Sequence, residues 1–136
     1  MTTVEPPCDF GPGLGARLER DPQAAVHARG MVRTFLGGLP RTVPREVAEA
    51  VLLVVSELVT NVVRHARGRL CRLDLRDMGH GVGISVSDDD PEPPRPRRLD
   101  LTGQGGFGWP LVRRLSSELT VLSRPDGKTV SAVVLF

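Results

Sequence analysis

The chain has 136 residues, 25% charged and 40% hydrophobic, with 15 Gly and 12 Pro, a size and balance that fit one compact domain and leave no room for a second. The longest apolar stretch, Val47 to Val63, is broken by Glu49, Ser56, Glu57, Thr60 and Asn61, which excludes a membrane span of about 20 apolar residues. A formal charge of +2 argues against a nucleic-acid surface despite the local cluster Arg95, Arg97 and Arg98, and two cysteines, Cys8 and Cys71, exclude a disulfide framework or a metal quartet.

In chain order, Met1 to Gly15 has no basic start followed by an apolar block, so no secretory signal is read and a cytoplasmic address is expected. Residues 1–13 are read as a flexible leader and 14–136 as the single domain. Leu14 to Glu19 fits a short edge strand. Asp21-Pro22 then resembles a helix cap with Pro at the first helical position, and Ala25, Val26, Ala28, Met31, Val32, Phe35 and Leu36 carry a helical period up to Gly37-Gly38, predicting a helix over 22–36. A second, longer helix is expected over 45–67, from the recurrence of Val47, Val51, Val54, Val55, Leu58, Val59, Val62 and Val63.

The period then changes. Leu70 to Asp77 and Val82 to Val86 alternate as strands joined by a turn at Gly79 to Gly81. Asp88 to Asp100 has no periodicity and is long for an unstructured connection, which suggests a lid; its arginines 95, 97 and 98 are read as solvating it. Leu111 to Leu115 suggests a third helix, Leu119 to Ser123 a strand, Asp126-Gly127 a tight turn, and Thr129 to Leu135 a closing strand. Helices first and strands mostly consecutive favour an α+β fold over a doubly wound sheet. Lys128 is the only lysine beside many arginines, a bias given no functional weight.

Three elements carry chemistry. On the second helix Glu57, Asn61, Arg64 and His65 stand at i, i+4, i+7 and i+8 and share one face. Burying them unsatisfied costs about 1–3 kcal/mol each, so they need partners. A solvated face with an i, i+4 hydrogen bond is one reading. A metal-phosphate site is the other, with Mg²⁺ taking hard oxygen from the Asn61 amide and Glu57 accepting a proton from a nucleophile. The stripe alone does not decide.

The second element is Val86-Ser87-Asp88, a strand ending in a carboxylate that can accept from an exocyclic amine such as that of adenine; Asp88, Asp89 and Asp90 could instead bind a cation or simply open a turn. The third is Thr102 to Val112, whose glycines 103, 105, 106 and 108 let backbone N–H groups approach phosphate just before a helix. No strand precedes them, and no acid sits roughly 20 residues later at the end of a second strand, so the dinucleotide reading is weak. Gly127-Lys128-Thr129 is not a P-loop, because Leu122 occupies the place of its first glycine. Phe107, Trp109 and Leu111 make the segment too apolar for a plain tether. With His27, His65 and His80 the only imidazoles and no G-x-S-x-G turn, a Ser-His-Asp triad is set aside.

In this order and spacing, the three elements resemble the GHKL ATPases, the superfamily of histidine kinases and gyrase-type ATPases, and within it the small anti-sigma-factor serine kinases. Glu57-Leu58-Val59-Thr60-Asn61-Val62-Val63-Arg64-His65-Ala66 is similar to the N box, Asp88 to the Asp of the first glycine box, and Gly106-Phe107-Gly108-Trp109-Pro110-Leu111-Val112 to the second. The likeness runs from about Asp21 to Phe136. It implies a two-layer α/β sandwich of Bergerat type, with a mixed, mostly antiparallel sheet covered on one face by helices.

It further implies Mg-ATP between the second helix and the glycine-rich segment. Asn61 would hold Mg²⁺, Glu57 would be the general base, Arg64 and His65 would lie near the phosphates, Asp88 would accept from the adenine amine, Gly106 and Gly108 would cradle phosphates, and Thr129 would sit near the adenine. Glutamate at 57 suits a kinase that must deprotonate a serine hydroxyl. The implied activity is that of an ATP-dependent protein serine/threonine kinase and anti-sigma factor, whose partners are a sigma factor and a serine-bearing antagonist. No direct nucleic-acid or membrane partner is implied, and a homodimer is allowed. Asp89 and Asp90 stand where many relatives carry glycines. A non-catalytic module that uses ATP to shape a partner surface, and a plain interaction domain, are the alternatives.

Overall fold

The computed structural model describes residues 13–65, 70–90 and 108–136. Its elements follow in the order β1 (Gly13–Arg17), α1 (Ala24–Gly37), α2 (Arg45–His65), β2 (Cys71–Asp77), β3 (Gly81–Asp88), α3 (Gly108–Leu115), β4 (Glu118–Arg124) and β5 (Gly127–Leu135). The strands form one sheet in the order β1-β2-β3-β5-β4, and all its pairings among the described residues are antiparallel rather than mixed. Helices α1 and α2 pack on this sheet and α3 packs on α2, which is the two-layer α+β sandwich expected. No helix among the described residues is long and apolar enough to cross a membrane.

Helix α1 starts at Ala24, two residues later than its period predicts, because Pro22 and Gln23 belong to the preceding turn. Asp21 Oδ1 accepts the Gln23 N–H at 2.8 Å, so the aspartate still satisfies a backbone donor at the helix start. Ala24, Ala28, Val32 and Phe35 recur every three or four residues and are buried. In α2 the buried stripe is Val51, Val54, Val55, Leu58, Val59 and Val62. It meets the alternating inward residues of the sheet: Leu73 and Leu75 of β2, Val82, Ile84 and Val86 of β3, and Val130, Ala132 and Val134 of β5. Each fully buried side chain of this size stabilises the fold by about 1.5–3 kcal/mol, so this interface holds the two layers together.

Two turns set the strand ends. Between β2 and β3, Gly79 has φ +85° and donates its N–H to Asp77 Oδ1 at 2.9 Å, a backbone conformation that favours glycine. Between β4 and β5 the turn residues are Pro125 and Asp126, one position earlier than Asp126-Gly127. Gly127 is already in β5 and lies so close to β3 that a Cβ there would collide with the Asp88 carbonyl oxygen. The same end of the sheet receives the C-terminus of α2. Arg20 donates from Nε to the Val62 carbonyl at 3.1 Å and from a terminal nitrogen to the Val63 carbonyl at 3.4 Å, satisfying acceptors that the helix end leaves open. Leu18 N–H donates to the Cys71 carbonyl at 2.7 Å.

Candidate functional site

At about 100° per residue, Glu57 and Asn61 are about 40° apart around the α2 axis and flank its buried stripe. Both are half-buried, and Arg64 is exposed. Among the described residues neither the Glu57 carboxylate nor the Asn61 amide has a hydrogen-bond or ion-pair partner, whereas Arg64 is engaged. The i, i+4 bond between Glu57 and Asn61 that a plain solvated face allows is therefore not made. His65 closes α2, and its side chain lies outside the described residues.

At the adjoining end of the sheet, register lines up Cys71 of β2, Asp88 of β3, Lys128 of β5 and Ser123 of β4. Cys71, Asp88 and Lys128 are buried, at 0%, 2% and 6% exposure. Asp88 Oδ1 accepts from Lys128 Nζ at 3.0 Å and from the Asp90 N–H at 2.8 Å, while Nζ also donates to the Asp90 carbonyl at 3.1 Å. Asp89 turns away and accepts the Leu70 N–H on Oδ1 at 3.1 Å. Asp88, Asp89 and Asp90 thus do not converge on a cation, and no cluster of three or more His, Cys, Asp or Glu suited to a metal occurs among the described residues. Burial, followed by the Asp88 charge, pushes the Cys71 thiol up to about 11 against the opposing pull of Arg20. The thiol therefore stays protonated at neutral pH. Leu18, which bonds to the Cys71 carbonyl, lies two residues before Arg20, which closes α2, and Cys71 stands opposite Asp88, so the helix end and the carboxylate share one end of the sheet.

Thr129, expected beside the base, is one residue out of phase with this row. Its hydroxyl lies 2.9 Å from Ser87 Oγ and accepts from Arg124 at 3.0 Å, on the sheet face opposite to Asp88. Lys128 holds the inward position instead. Sequence reading missed it, although a lysine in step with Val130, Ala132 and Val134 at a period of two carried the signal. Gly108 is the first residue of α3, whose Val112 is buried at 1% exposure. Gly106 and the arginines at 95, 97 and 98 lie outside the described residues, as does the leader up to residue 12.

The arrangement offers a proton acceptor, a hard neutral oxygen one turn further along the helix, and a buried carboxylate beside an ammonium. The Asn61 amide oxygen is a hard donor of the kind Mg²⁺ takes, with substrate phosphates and water able to supply its other ligands.

Residues 18–134 match the family described as histidine kinase-like ATPase domain. No curated protein matches the sequence. Among solved structures, the chain is similar to the RsbU and RsbW domains of Rv1364c from Mycobacterium tuberculosis, with a TM-score of 0.68 and 19% identity over 92% of this chain and 32% of that one. It is also similar to the histidine kinase domain of the Erythrobacter litoralis EL346 blue-light activated histidine kinase, with a TM-score of 0.53 and 24% identity over 81% of this chain and 63% of that one. The chain thus spans about a third of the first, at 32%, and less than two thirds of the second, at 63%. At these identities both bear on the fold alone.

Proposed function

The chain belongs to the histidine kinase-like ATPase domain family, and on that premise we propose that it is an ATP-binding regulatory protein serine/threonine kinase. In this reading it is an anti-sigma factor that holds a sigma factor inactive and releases it when a serine-bearing antagonist binds instead. Residues 14–136 form the functional unit, in the cytoplasm, as a monomer or homodimer. The observation that carries the reading is the pair Glu57 and Asn61, half-buried and without partners among the described residues, on the helix end that meets the Asp88 row.

Asn61 is the protein oxygen for Mg²⁺, which when bound supplies positive charge against the triphosphate. Asp88 accepts from the base, Arg64 and His65 lie near the phosphates, and Gly106 and Gly108 cradle them. Glu57 takes the proton of the acceptor serine as its Oγ bonds to the γ-phosphorus; the bond from that phosphorus to the β–γ bridging oxygen breaks, and ADP leaves. General-base help of this kind is worth about 10²–10⁴ in rate.

The test is transfer of labelled γ-phosphate from Mg-ATP to a serine-bearing antagonist. Glu57→Gln is expected to lower transfer at least about a hundredfold while ATP is still bound. Unchanged transfer by that variant removes Glu57 from the base role. One observation favours a second reading, a non-catalytic module in which ATP shapes a partner surface: the Asp88 carboxylate is already ion-paired with Lys128. ATP binding with no transfer in the wild type selects that reading.

A further inference from the structure

In the order β1-β2-β3-β5-β4, each end strand pairs on one side only among the described residues. Its other side offers a row of backbone N–H and C=O groups to any further strand, and proteins guard such edges with shortness, a charge, a proline or a covering helix. The edge strand β1, Gly13-Leu14-Gly15-Ala16-Arg17, has five residues and two glycines, a composition that disfavours strand pairing. The edge strand β4, Glu118-Leu119-Thr120-Val121-Leu122-Ser123-Arg124, has seven residues, and its charges stand only at the two ends. Helix α3 packs on α2 rather than on β4. Val121, in step with the inward Val130, is 36% exposed, and Leu122, on the opposite face beside Thr129, is 59% exposed. The middle of β4 is thus an apolar edge without any of the usual guards.

We propose that β4 pairs with β4 of a second copy of this chain, antiparallel and centred on Val121, so that the two sheets become one. The occupant follows from the charges. Reversed against itself about Val121, the strand sets Glu118 opposite the partner's Arg124, Leu119 opposite the partner's Ser123, Thr120 opposite the partner's Leu122, and Val121 opposite the partner's Val121. Opposed residues share a face of the sheet, and opposite charges so placed stabilise the pairing. The two-fold makes this ion pair twice, whereas parallel pairing in register would set glutamate beside glutamate. Glu118 has no partner among the described residues. Arg124 donates to Thr129 at 3.0 Å and reaches Asp126 only at 3.9 Å, so it keeps donors of its five for a second carboxylate. A two-fold contact closes on itself and uses up this edge, and the glycines of β1 oppose growth at the other. Ser123 stands in the row of Lys128 and Asp88, so the pairing brings the second copy alongside the candidate site. The inference goes beyond nucleotide binding and does not depend on it.

The experiment is disulfide trapping in the full chain carrying Cys8→Ser; Cys71 is retained, since its thiol is buried and protonated. Directly opposed residues of antiparallel strands have Cα atoms about 4.5–5.5 Å apart, within reach of a disulfide. Val121→Cys is therefore expected to give a covalent dimer on mild oxidation. Leu122→Cys would face its own copy only diagonally, at about 7–8 Å, and is expected to remain uncoupled although it is the more exposed position. Coupling at neither position, or at Leu122 as readily as at Val121, overturns the proposal. Sedimentation equilibrium of the chain without added cysteines supplies a second readout. The wild type is expected to reach twice the mass of one chain as its concentration rises, Glu118→Arg to stay at the mass of one, and Glu118→Arg with Arg124→Glu to recover the dimer. A wild type that is monomeric throughout, a dimer that survives Glu118→Arg, or a double variant that does not recover overturns the proposal. Because none of these measurements contains ATP, the ATP-binding reading stands or falls separately.

Discussion

The contrast between Lys128 and Thr129 turns on one residue of phase. Successive side chains of a strand point to opposite faces, so pairing Asp88 with Lys128 in register sends Thr129 to the other side, where it meets Ser87. The alternation of Thr129 to Leu135 was legible, but the strand was expected to begin only at Thr129, after the Asp126-Gly127 turn, so its period of two was not carried back to Lys128. Losing one partner of a buried ion pair costs far more than losing a neutral hydrogen bond on a half-exposed face. Urea unfolding of Lys128→Met is therefore expected to reveal a loss of about 3–5 kcal/mol. Thr129→Val is expected to lose only about 0.5–1.5 kcal/mol and to leave ATP affinity unchanged. If Thr129→Val abolished ATP binding, the assignment of the inward face to Lys128 would be wrong.

Elements with a strong period were the most legible, α2 above all, because twelve of its residues from Val51 to Val62 already carry both the buried stripe and the polar pair. Boundaries depended on local chemistry that periodicity does not register. Trp109 and Pro110 read as part of the glycine segment, yet they belong to the first turn of α3, where proline's missing N–H costs nothing. Asp77 read only as the end of an alternating run. Its carboxylate is instead an anchor: it accepts from Gly79 and pairs with Arg41 at 2.9 Å, while the Arg41 guanidinium lies 4.4 Å from the centre of the Phe136 ring. No local pattern predicts a contact between the connector after α1 and the end of the chain. The Gly79 N–H bond holds the Asp77 carboxyl below its ordinary value of 3.8, burial opposes this, and Arg41 adds to the lowering. A lowered value in the folded state contributes stability above the unfolded value and loses it as pH falls through the folded one. The stability advantage of the wild type over Asp77→Asn, measured by urea unfolding, is thus expected to be present at neutral pH and to shrink below about pH 4. A difference that stays constant into acid would contradict this.

At the scale of the whole molecule, antiparallel strands and a single helix layer bring the end of α2, the end of β3 and the start of β5 to one place. The layering followed from the change of period along the sequence. That convergence did not, since it depends on the strand order β1-β2-β3-β5-β4 and on Arg20 closing the helix over Cys71. The account stands on Asn61 and Glu57 facing a magnesium-bound triphosphate at this end of the sandwich. Its most direct test is the thermal unfolding of the wild type and Asn61→Ala with ATP, with and without Mg²⁺. A ligand at 100 times its dissociation constant stabilises the folded state by about 2.7 kcal/mol. The wild type is expected to show a stabilisation of that order that is larger with Mg²⁺, and Asn61→Ala to lose the part that depends on the cation. An Asn61→Ala protein that keeps the full magnesium-dependent shift would contradict the account.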